Sequence, residues 1–91
     1  MLIDGNTLRK IREVYRLSRD EMGALLGVSG RFIHYVERGE RNLPRERAEI
    51  LADELALTPE KLARLLAIHD EMKSSARLSA IRQHLARVAV G

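Results

Sequence analysis

Residues 18–39 read SRDEMGALLGVSGRFIHYVERG. Ser18 is followed three residues later by Glu21, a capping box that opens a helix ahead of an apolar run. Gly27 tolerates the positive φ that stops such a helix, and Ser29 supplies a second small polar cap. Met22, Leu26, Val28, Ile33 and Val36 are spaced to point into a shared angle, and Gly23 offers no side chain where two backbones would approach. The stretch predicts helices at 19–26 and 30–37 across a tight turn.

The same start device recurs on either side. Asp4 stands between Ile3 and Leu8, Ser18 between Leu17 and Met22, Ser29 between Val28 and Ile33, and Thr58 between Leu57 and Leu62. Each pairs a polar cap with apolar residues that can staple the entry, and Pro59 suits a first helical position. A further start near Pro44 has no capping side chain. The expected helices are therefore 5–16, 19–26, 30–37, 45–55 and 59–73. Leu8, Ile11 and Tyr15 would share one face of the first, and Ala48, Leu51, Ala52 and Leu55 one face of the fourth, with Tyr15 and Met22 in the core.

Leu78, Ile81, Leu85 and Val88 then recur at three–four–three spacing, the seam of a short amphipathic helix. The stripe before them, Leu62, Leu65, His69 and Met72, does not run in phase. A break at Ser74-Ser75 is the expectation and an uninterrupted helix the alternative. The organisation expected is a domain over 1–73 and a C-terminal helix over 74–91 that dimerises or packs.

Composition narrows the function. The chain has 91 residues, net charge +3 and no cysteine, which excludes disulfides, thiol chemistry and Cys-based metal sites. His34, His69 and His84 fall in no metal-ligand spacing, and no metal or cofactor is expected. Tyr15, Phe32 and Tyr35 are too few for a base-stacking platform. No run reaches the ~18 apolar residues of a membrane span, and a cytoplasmic setting is expected. Asp53-Glu54 and Asp70-Glu71 read as solvated faces, and no nucleophile–base constellation suggests an enzyme. The charge is unevenly spread: residues 1–47 carry ten basic and seven acidic groups, 48–73 three and six, and 74–91 three and none.

From Leu8 to Leu66 the chain resembles the phage-repressor and Cro (Xre-type) family of helix-turn-helix DNA-binding domains. The residues that carry the likeness are Leu8-Arg9-Lys10-Ile11-Arg12, Leu25-Leu26-Gly27-Val28-Ser29, Val36-Glu37-Arg38-Gly39, and Ala52, Leu55, Leu57-Thr58-Pro59 and Leu62. The resemblance implies an all-α, five-helix lambda-repressor-like fold, here with an additional C-terminal amphipathic helix. It places Arg19, where many members have Gln, against a phosphate. It puts Ser29, Gly30, Arg31, Phe32, His34 and Tyr35 on the recognition helix. Arg31 would read guanine through its fork. Tyr35 and His34 would donate to base or phosphate, and Phe32 would touch a thymine methyl, although Tyr35 can also pack beside Arg38 and Phe32 can cover the core edge. Arg38, Arg41 and Asn42 would hold phosphates, and Arg12 and Glu37 would form a structural salt bridge.

The expected function is that of a homodimeric repressor binding a palindrome in double-stranded DNA. Its dimer interface would draw on Leu65, His69, Met72, Leu78, Ile81, Leu85 and Val88. The alternative is an antitoxin-like or other interaction module whose C-terminal helix covers a partner protein. A basic membrane-surface role for that helix fits less well.

Overall fold

The computed structural model describes residues 2–90. Among them are five helices and no strand: α1 (Gly5–Val14), α2 (Arg19–Leu26), α3 (Gly30–Glu37), α4 (Arg45–Glu54) and α5 (Pro59–Val90). The helix starts follow from their caps. Asp4 accepts from the Thr7 N–H at 2.8 Å, Ser29 from Phe32 at 3.0 Å and Thr58 from Lys61 at 3.1 Å. Ser18 and Glu21 satisfy each other's backbone donors at 3.0 and 2.8 Å. These backbone N–H groups hold the Asp4 and Glu21 carboxyls below their ordinary range. α4 starts after Pro44 with no side-chain cap.

The helix ends share a second device. The N–H groups of Leu17, Val28, Glu40 and Leu57 return to the carbonyls of Arg12, Gly23, Tyr35 and Ala52 at 2.8–3.0 Å. Each closes a Schellman turn around one left-handed residue: Arg16 (φ 56°), Gly27 (φ 71°), Gly39 (φ 79°) and Ala56 (φ 48°). In Arg16-Leu17-Ser18, Gly27-Val28-Ser29 and Ala56-Leu57-Thr58 the turn is followed at once by the next N-cap. One partly buried apolar residue in each, packed on the core, thus closes one helix and staples the next. α1 accordingly stops at Val14, and Tyr15, expected in the core, is its C-cap residue with 37% of its surface exposed.

Leu8, Ile11, Met22, Leu26, Ile33, Val36 and Leu51 form the fully buried centre. Truncating any one of the leucines, isoleucines or Met22 among them to Ala would cost about 2–5 kcal/mol. α2 packs on α3, α1 on α3 and α5, and α4 on α2. The α2–α3 angle depends on Gly23, where a Cβ would lie 2.5 Å from the Val28 carbonyl oxygen.

α5 corrects one expectation. It runs unbroken through Ser74-Ser75, so the proposed boundary at 73/74 falls inside one helix. Serine in a helix interior costs only about 0.5 kcal/mol, and no Gly or Pro interrupts residues 60–90. The phase change has a different origin. Leu78 lies nine residues after His69, and at about 100° per residue it falls on the opposite side of a straight helix. One stripe faces the body of the domain and the other faces away. Leu65 and His69, expected in a dimer interface, are buried at 7% and 9% exposure where α5 lies on α1. Residues 70–88 are exposed, including Met72, Leu78, Ile81, Leu85 and Val88.

Candidate nucleic-acid interface

α3 is eight residues long and two-sided. Ile33 and Val36 enter the core, while Arg31, Tyr35 and Arg38 lie along the outer face at helical spacing. His34 is half-buried beside Tyr35, their ring centroids 5.8 Å apart and tilted by 51°. Phe32 is half-buried and packs against the core. Ser29 is occupied as the N-cap. Gly30 lies so close to α2 that a Cβ there would collide with the Asp20 carboxylate. A side chain at the first residue of α3 would therefore require the exposed Asp20 carboxylate to turn away.

The loop after α3 is fixed by its own backbone. The Tyr35 carbonyl accepts from the N–H groups of Glu40 at 2.9 Å and Arg41 at 3.3 Å. Arg41 and Asn42 are exposed beyond Gly39. Arg38 pairs with Glu40 at 3.1 Å, both side chains about half exposed or more, a geometry that contributes little to stability.

Behind this face three helices meet on one carboxylate. Glu37, at the end of α3, has only 3% of its side chain exposed. Arg12 of α1 approaches it with two donors, Nε at 2.6 Å and Nη2 at 3.1 Å, and gives Nη1 to the Leu17 carbonyl at 3.0 Å. Glu37 holds the Arg12 guanidinium pKa above its ordinary value through these hydrogen bonds. Arg19, the first residue of α2, reaches the same carboxylate at 3.3 Å while 47% of its side chain remains exposed. Arg19 is thus anchored at one edge and open to an anion at the other. Arg31 and Arg41 join no ion pair among the described residues.

Two positioning residues were not apparent from the sequence. Arg47 of α4 donates to the Leu26 carbonyl at 3.1 Å, and Lys61 of α5 donates to the Leu55 carbonyl. Both place a cation on a helix C-terminus, where the backbone dipole favours one. Their spacing of 21 and six residues from those carbonyls follows no local motif. Asp20 has no signal in the sequence beyond the glycine that proves to lie opposite it. No group of three or more potential metal ligands is assembled among the described residues, and no helix there is long and apolar enough to cross a membrane.

Two short helices held at a glycine-tight turn, with the second showing arginine and tyrosine outward, define the helix-turn-helix class of DNA-binding domain. The family model described as "Helix-turn-helix domain" matches residues 5–65, and the chain belongs to that family. Among solved structures, the clp gene regulator ClgR from Corynebacterium glutamicum is similar, with a TM-score of 0.54 and 25% identity. The match covers 92% of this chain and 83% of that one. No curated protein matches significantly.

Proposed function

We propose that the protein is a sequence-specific transcriptional regulator that binds a palindromic operator as a homodimer, inserts α3 into the major groove and represses by occupying the site. The observation that carries this reading is the contrast among the arginines on and around the outer face of α3. Arg12 is bound inside the protein and Arg19 and Arg38 are partly engaged with acids, whereas Arg31 and Arg41 are exposed without an acidic partner. Arg31 is the base reader in this scheme, with Tyr35 beside it. Arg19, Arg38, Arg41 and Asn42 contact phosphates, and Ser29 and Glu37 act by holding the helix. Phe32 and His34, half-buried, contribute at most an edge.

A binding selection on random duplexes, read by sequencing, tests the proposal. A two-fold motif with half-sites about one helical turn apart is expected, with affinity falling steeply as salt rises. Failure to enrich any motif would refute it. The exposed distal half of α5 favours a second reading, an antitoxin-like module that covers a partner protein. Absence of an enriched motif together with a stable heteromeric complex through that helix would select it.

A further inference from the structure

Gly30 opens α3 without a side chain, and its backbone does not call for glycine. The left-handed residues of the chain are Arg16, Gly27, Gly39 and Ala56, and Gly30 is not one of them. The space its Cβ would fill is taken by Oδ1 of Asp20, from the first turn of α2. Asp20 is exposed, and it differs from the other acids of residues 18–41. Glu21 is occupied by the Ser18 N–H, Glu37 by Arg12 and Arg19, and Glu40 by Arg38. Asp20 joins no ion pair and no side-chain hydrogen bond among the described residues.

We propose that Asp20 determines specificity, its carboxylate reading a cytosine in place of the side chain that α3 lacks at its first position. This deepens the DNA-binding reading above and rests on it. In a helix-turn-helix the N-terminal residues of the second helix contact base edges. Here that end of α3 carries, beside Arg31, a carboxylate lent by the neighbouring helix.

The choice of base follows from donors and acceptors. A carboxylate only accepts hydrogen bonds. In the major groove guanine offers the acceptors O6 and N7, and thymine the acceptor O4. Adenine sets its amino donor beside the acceptor N7, and cytosine presents its N4 amino donor alone. Cytosine is therefore the base that suits Asp20. Arg31 makes the opposite demand, since its guanidinium only donates and suits guanine. The two residues would read neighbouring base pairs. The same negative charge is repelled by phosphates, so Asp20 weakens non-specific encounters and contributes discrimination, not affinity.

The test repeats the random-duplex selection with the full chain and with Arg31→Ala, Asp20→Ala and Asp20→Asn. Arg31→Ala locates the base pair that Arg31 reads. The unsubstituted chain should prefer a C·G pair of one fixed orientation at the adjacent position by about fivefold, the lower end of what one base contact supplies. Asp20→Ala should make that position indifferent, leave the Arg31 position intact and bind random duplex more tightly. Asp20→Asn should move the preference toward adenine, whose N6 and N7 match an amide. A carboxylate that served only the dipole of α2 would leave the motif unchanged on removal, or lower affinity for selected and random duplexes equally. Either result would overturn the proposal, as would any other base pair at the adjacent position of the unsubstituted chain, while the DNA-binding reading stood. Failure of the unsubstituted chain to enrich a motif would overturn both.

Discussion

Replacing Glu37 by leucine should be among the most damaging single changes outside the apolar core. The side chain is almost fully buried and takes two hydrogen bonds from Arg12, itself only 13% exposed. Its removal strands the Arg12 charge inside the protein. Breaking a buried pair in this way costs about 3–5 kcal/mol, and the retained bond from Arg12 to the Leu17 carbonyl points to the lower figure. A chain of 91 residues has roughly 5–14 kcal/mol of total stability. A loss of about 3 kcal/mol then lowers Tm by about 12–24 °C.

The complementary change, Arg12→Met, should cost less than Glu37→Leu, because Arg19 stays within reach of the carboxylate. The double variant contains no stranded buried charge. It should be more stable than Glu37→Leu alone, with a coupling of at least about 2 kcal/mol. Urea denaturation followed by far-UV circular dichroism on the four proteins measures the cycle. Additive effects, or a Glu37→Leu variant within about 1 kcal/mol of the parent, would refute the claim that this carboxylate ties three helices together.

Further outcomes follow from other positions. Arg31→Ala should reduce discrimination at one operator position by about 1–3 kcal/mol, whereas Arg41→Ala should weaken specific and random duplexes alike. Titrations of both duplexes by fluorescence anisotropy would show equal effects if the roles are misassigned. Ala56→Gly should stabilise by about 0.5–1 kcal/mol, since an alanine at φ 48° carries a Cβ penalty that glycine lacks; a lowered Tm would contradict this. His69→Leu should raise Tm by several degrees. The buried Nδ1 has no hydrogen-bond partner, and Nε2 is 3.7 Å from Glu13, beyond hydrogen-bond reach. Relieving an unsatisfied buried group gains about 1 kcal/mol or more, and a destabilised variant would show that the imidazole is satisfied in solution.

Helix starts were legible because they depend on local chemistry. A hydroxyl or carboxylate at positions 4, 18, 29 and 58 meets a backbone donor three residues on, and nothing distant is required. The stops were legible only where glycine marks them. Gly27 and Gly39 advertise a left-handed residue, but Arg16 and Ala56 adopt the same conformation without doing so. There the Schellman turn is sustained by Leu17 and Leu57 packing on the core, which is a tertiary effect. The exposure of Tyr15 went unread for the same reason, since α1 ends one residue before it. Arg19 illustrates the limit at the site itself. Its place at the start of α2 was readable, whereas its contact with a carboxylate eighteen residues away was not.

Of the two solutions open at Ser74-Ser75, a break and an uninterrupted helix, the chain adopts the second. Two apolar stripes out of register on one helix have two physical solutions. The helix can kink so that both stripes reach one core, or it can remain straight and serve two surfaces. A kink needs a cause such as proline, a glycine–serine pair or an inserted side chain, and residues 60–90 contain neither proline nor glycine. The straight solution was therefore favoured on backbone grounds alone. It leaves Leu62, Leu65 and His69 to bind the domain, and Leu78, Ile81, Leu85 and Val88 facing the other way with nothing of their own chain to cover them. Periodicity tells which residues share a face of a helix; it does not tell how many partners that helix has. Here the rigidity of one unbroken helix would turn the second stripe into a constraint on the first, because whatever seats on Leu78–Val88 is held at a fixed distance and rotation from α3.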